Sequence, residues 1–171
     1  MIYKKRDYKY IVAIDPDVDE SGYAYLIKET RKLDISRWRF PNILDMLKTI
    51  SVSNIASDTI IVVEAGWLNR GNWHLHGAKN RKVAGKTGEH IGANHQVGKL
   101  IIEMCKHYGL NVIAHKPLIK TWSTASGKIS RKELAYVTGL DKQSNTEERD
   151  AGILAWVFAG LPVKVPPLNK M

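Results

Sequence analysis

The sequence predicts an α/β fold on one mixed sheet: a three-strand antiparallel meander, then two parallel strands, with helices flanking them. Three observations carry that prediction. Short β-rich runs broken by turn chemistry fill residues 10 to 40, and a nearly pure β-branched run stands at Ile60 to Val63. Apolar residues recur at helical spacing before that run, after it and again near the end of the chain. A length of 171 residues suits a single domain spanning 1–171 with a full core.

The first strand is Tyr10 to Ile14, and Asp15 sits where it stops. Pro16 follows, with no amide to donate to a ladder. Asp17, Asp19, Ser21 and Gly22 supply a turn, and Gly22 to Ile27 forms the second strand. Residues 31–40 (RKLDISRWRF) give the third, with Leu33 and Ile35 alternating. Pro41 suits a helix start, and Ile43, Leu44, Leu47 and Ile50 share one helical face. Ile60 to Val63 reads as a central strand buried on both faces, and Glu64 terminates it.

From about 69 to 93 no periodicity is visible, and glycine and basic residues dominate. Arg70, Lys79, Arg81, Lys82 and Lys86 make this a basic loop expected to face nucleic acid, with Trp67 or Trp73 available to stack on a base. A helix is predicted over 93–108, with Val97, Leu100, Ile101 and Met104 on one side and Gly109 at its end. Asn111 to Ala114 is a strand reached by a parallel crossover. Lys116, Lys120, Lys128, Arg131 and Lys132 form a second basic cluster. Ser130-x-x-Glu133 is a capping box for a helix through Val137, stopped by Gly139. The last helix begins near Asn145; with Asn145 as its N-cap, Glu148 would hold the capping-box position, and residues 161–171 are expected to form an irregular prolyl tail.

The formal charge of +9 and a pI near 9.6 favour a polyanionic partner, nucleic acid ahead of an anionic membrane. No apolar run approaches the roughly 18 residues of a membrane span, and MIYKKRDYKY lacks the apolar block of a signal peptide. Cys105 is alone, so an intrachain disulfide is impossible, and a reducing cytoplasm is the expected location. Gly85-Lys86-Thr87 resembles the tail of a phosphate-binding loop, but Asn80 stands where that motif needs glycine, so no nucleotide cofactor is expected. His74-x-His76 finds His90, His95 and Cys105 only at unrecognised spacings, which argues against zinc.

Four acids carry the chemistry. Glu147 and Asp150 are three apart on one helical face that continues into Ile153, Leu154 and Val157, so both point inward. With Asp15 and Glu64 ending two buried strands, all four carboxylates are able to converge at one sheet edge. Each has a plainer reading alone: Asp15 as a turn starter, the helix pair as a complement to the helix dipole. Together they would repel one another into protonation without cations. All-oxygen ligation selects Mg²⁺, with Mn²⁺ as substitute, over zinc. Two such ions about 3.5–4 Å apart would activate water and stabilise the leaving oxygen of a phosphodiester.

These segments resemble the RuvC-like Holliday junction resolvases of the RNase H-like nuclease superfamily. The resemblance rests on IDPDVDESGYAYL, IIVVEAGWL, GANHQVGKLI and EERDAGILAW. Asp15-Pro16 and Gly22-Tyr23 match the family's first hairpin, while Asp17 departs where glycine is usual. Glu64 matches the second acid, and Glu147 with Asp150-Ala151 matches the last helix. The resemblance implies a five-stranded RNase H-like sheet and a homodimer that cuts four-way DNA junctions symmetrically in recombination and repair. It implies that Asp15, Glu64, Glu147 and Asp150 are both catalytic and metal-binding. Lysines follow the fifth strand near the scissile phosphate in that family, and Lys120 and Lys132 look similar. Two rivals stand beside this reading: a weakly catalytic or non-catalytic nucleic-acid-binding module, and a nuclease of the same fold acting on RNA or flaps.

Overall fold

The computed structural model describes residues 7–69, 81–119 and 121–164, the side chains of 81–84 excepted. Its centre is a five-stranded sheet of β1 (Tyr10–Asp15), β2 (Ser21–Ile27), β3 (Lys32–Trp38), β4 (Thr59–Glu64) and β5 (Asn111–His115). The spatial order is β3-β2-β1-β4-β5. The first three strands pair antiparallel, and β4 and β5 continue the sheet in parallel. The meander and crossover expected from the sequence are both present. Because β1 is central, its Asp15 end and the Glu64 end of β4 emerge on the same edge of the sheet.

Helices cover both faces. α1 (Phe40–Ser51) and α2 (Arg81–His107) pack on one side, where Val12, Ile14, Ile61, Val63, Leu47, Ile101 and Cys105 form a buried cluster. α3 (Arg131–Thr138) and α4 (Thr146–Phe158) cover the other, against Ile11, Ala13, Ile60, Val62, Leu134, Leu154 and Trp156. Strand parity therefore sends the two terminal acids, in step with Ala13 and Val62, to the α4 side. No helix among the described residues is long and apolar enough to cross a membrane.

One boundary differs from expectation. α2 begins at Arg81, well ahead of the start predicted near 93, so residues 81–93 are helical rather than loop. Gly85, Gly88 and Gly92 lower helix propensity by about 1 kcal/mol each relative to alanine and hide the apolar period. The rest of the expected loop, residues 70–80, lies outside the described residues. The shorter helices start and stop as their caps dictate. Ser130 and Glu133 form a reciprocal capping box, Gly139 closes α3 in the left-handed region, and Asn145 with Glu148 repeats the box on α4.

Candidate active site

Asp15 pairs across the ladder with Gly22, and this pairing builds the site. A side chain on Gly22 would meet the Glu147 carbonyl oxygen at 2.0 Å, so only glycine lets the first turn of α4 rest on β2 at that point. The same contact brings Glu147, and one turn on Asp150, over the end of β1. Asn145 accepts from the Glu148 amide at 2.9 Å, and Glu148 accepts from the Asn145 amide at 2.7 Å. Glu148 is thus taken up by capping, the role its capping-box position offered, while Glu147 has no part in the cap.

A second support lies on the opposite side. Gly98 of α2 faces the Trp67 ring and Pro16, which a methyl group there would meet at 2.8 and 3.0 Å. The segments behind Asp15 and Glu64 thus rest on one helix. Asn94 reinforces the first by accepting from the Val18 amide at 2.9 Å and donating to the Asp17 carboxylate at 3.0 Å. Asp17 also accepts from the Asp19 amide, so the residue that departs from the family's glycine has a loop-forming task.

The acids sense one another. Desolvation first, then repulsion from Glu64, Asp150 and Glu147, holds the Asp15 carboxyl well above the usual aspartate range, and only Lys128 pulls it back. Lys128 donates to Asp150 Oδ2 at 3.0 Å. Burial by itself would lower the Lys128 ammonium, but Asp150, then Asp15 and Glu147, outweigh it and hold the group above its ordinary value. All four predicted acids therefore belong to one electrostatic cluster. Among the described residues, no three His, Cys, Asp or Glu side chains stand in metal-holding geometry in this conformation. The donor set still fits a hard divalent cation, being all carboxylate, with burial first and the neighbouring acids second raising Asp15.

The predicted nucleic-acid contacts fare unevenly. Lys128, expected among the phosphate-holding residues, lies beside the acid cluster, its ammonium paired with Asp150. Trp67 is only half-buried, yet its ring meets Gly98, lies edge-on to His95 with centroids 5.8 Å apart, and has Lys99 Nζ 5.8 Å from its centroid. One side of that ring is thus committed to packing. Lys86 on α2 and Lys132 on α3 are exposed. Arg81 and Lys82 open α2, and Arg70, Trp73, Lys79 and Lys120 lie outside the described residues. Sequence reasoning missed Asn94 and Arg149. Arg149 donates to the Ile129 carbonyl at 2.9 Å and also bonds the Ser144 carbonyl, tying the Lys128 segment to α4. An arginine among helix-start acids was the one available signal.

No protein-family model matches the chain, and no curated protein is significantly similar to it. Among solved structures it is similar to T. thermophilus RuvC in complex with Holliday junction substrate, with a TM-score of 0.47 and 14% identity over 90% of this chain and 97% of that one. The fold itself is the expected mixed five-stranded sheet, three strands antiparallel and two parallel, flanked by helices.

Proposed function

We propose that this protein is a divalent-metal-dependent endodeoxyribonuclease that hydrolyses phosphodiester bonds of four-way DNA junctions. The observation that carries the reading is the gathering of Asp15, Glu64, Glu147 and Asp150 at one sheet edge, where burial and their mutual repulsion raise the Asp15 carboxyl. Such a cluster is costly unless function requires it. A divalent cation held by Asp15, Glu64 and Asp150, with Glu147 directly or through water, would supply charge neutralisation and Lewis acidity at the scissile phosphate. The Gly22 contact seats the Glu147 backbone beside β2, and α4 carries Asp150 one turn on, so both acids start close to Asp15. Lys128 adds a cation beside them to meet the phosphate charge. Exposed basic residues, Lys86, Lys99 and Lys132 among them, would hold the backbone. The choice of branched DNA, and of a homodimer acting on it, rests on the sequence motifs.

Nicking of a synthetic four-way junction in Mg²⁺ tests the reading. Wild type cleaves and Asp15→Asn does not, with a loss of at least about 10³-fold. In chelator the same substitution raises the thermal midpoint. An acid whose folded-state pKa is raised destabilises the fold once pH exceeds its unfolded value, most fully above its folded one, and asparagine removes that repulsion. Equal cleavage by the two proteins sinks the reading. Junction binding without cleavage in either Mg²⁺ or Mn²⁺ supports the binding-module alternative, which the Lys128–Asp150 ion pair favours because it already neutralises one acid.

A further inference from the structure

Lys128 is presented to the acids by an unusually constrained segment. Thr124 Oγ1 donates to the Lys128 carbonyl at 2.6 Å, and Arg149 Nε donates to the next carbonyl, that of Ile129, at 2.9 Å. The buried Glu133 carboxylate accepts from the Ser123 and Ser130 amides, both at 2.8 Å, closing the segment at its two ends. The Trp122 amide bonds the Gly127 carbonyl at 3.1 Å within it. This frame delivers an ammonium group to Asp150, with side chains only 27% and 13% exposed, and into the field of Asp15 and Glu147.

We propose that Lys128 is a resident counter-cation that competes with divalent metal for Asp150, so that metal loading is coupled to the arrival of a DNA phosphate, which takes the ammonium over. The inference rests on the metal-dependent reading above and deepens it. An ammonium and a divalent ion repel each other across one carboxylate, so each weakens the other's hold. A phosphate that draws Lys128 outward leaves Asp150 free for the metal. By linkage, DNA then strengthens metal binding by the same factor as metal strengthens DNA binding. The device would keep the site from holding metal, and from attacking stray phosphodiesters, until a substrate is seated.

Manganese binding to the full chain, measured by isothermal titration, reads this directly without any turnover. Without DNA, Lys128→Gln and Lys128→Met bind Mn²⁺ about three- to tenfold more tightly than wild type, the range between an exposed and a desolvated ion pair. Asp150→Asn abolishes that gain when combined with either. Junction DNA, with its cleavable bonds replaced by phosphorothioates, tightens Mn²⁺ binding to wild type more than to the lysine variants. Equal or weaker Mn²⁺ binding by folded lysine variants overturns the proposal, as does wild-type binding that DNA leaves unchanged. If wild type binds Mn²⁺ through Asp150 yet the variants show no gain, this proposal alone is lost. If no folded form takes up Mn²⁺, the metal-dependent reading falls with it.

Discussion

A methyl group added at Gly22 would lie 2.0 Å from the Glu147 carbonyl oxygen and 2.4 Å from its carbon, both backbone atoms that cannot rotate away. Either β2 or the first turn of α4 has to retreat. Gly22→Ala should therefore lower stability by about 1–3 kcal/mol, the usual range for overpacking. It should also cut junction cleavage by about 10²-fold, because a shift near 1 Å in a positioned carboxylate is enough to do so. Thermal melting and single-turnover nicking measure the two effects, and cleavage lost out of proportion to stability is the expected pattern. Wild-type cleavage in a folded Gly22→Ala protein would show that the α4 acids need no such seat. Glycine-then-tyrosine was visible in the sequence, but its reason was not. Tyr23 faces the other side of the sheet, stacked on Trp38 with centroids 4.1 Å apart, while Gly22 faces the helix.

Among the elements, the stretch before α3 is held most completely by one side chain. Burial alone would raise the Glu133 carboxyl, but hydrogen bonds from Ser123 and Ser130 outweigh it and hold the group below the usual glutamate range. A depressed folded-state pKa contributes stability that is fully present above the unfolded value and is lost as pH falls through the folded one. Glu133→Gln should cost about 1–2 kcal/mol near neutral pH, since it weakens both a cap and a buried acceptor. The gap to wild type should close as the pH drops below the ordinary glutamate range. Urea melts across that range check it; a gap independent of pH would mean the carboxylate charge plays no part. The capping box itself was readable from Ser130-x-x-Glu133, as was the one on α4. What stayed hidden was the second use of Glu133, its grip on Ser123, because that partner lies across a loop with no periodic signal. The start of α2 was missed for a related reason: its early glycines dilute the apolar pattern, and the backbone is helical without it.

For the whole molecule, a formal +9 predicts how binding responds to salt more firmly than it predicts sequence preference. If six or more phosphates are contacted, junction affinity should fall by about 10³-fold between roughly 50 and 200 mM monovalent salt. Fluorescence anisotropy at several salt concentrations measures the slope, and a nearly flat dependence would remove the polyanion partner. The sheet order and the grouping of the acids were legible because each acid closes or opens an element whose own pattern is strong: a β-branched run, a Pro-stopped strand, a capped helix. The pairing of Lys128 with Asp150 was not, since an ion pair across 22 positions leaves no periodic trace in the chain.

Pro16 and Trp67 meet over Gly98, one from the turn after β1 and one from the turn after β4. Two acids far apart in the chain thus share a mechanical anchor, and a displacement there is transmitted to both at once. A bulkier residue at that helix position would act as a lever on the whole acid pair, leaving each strand intact while changing the gap between their tips.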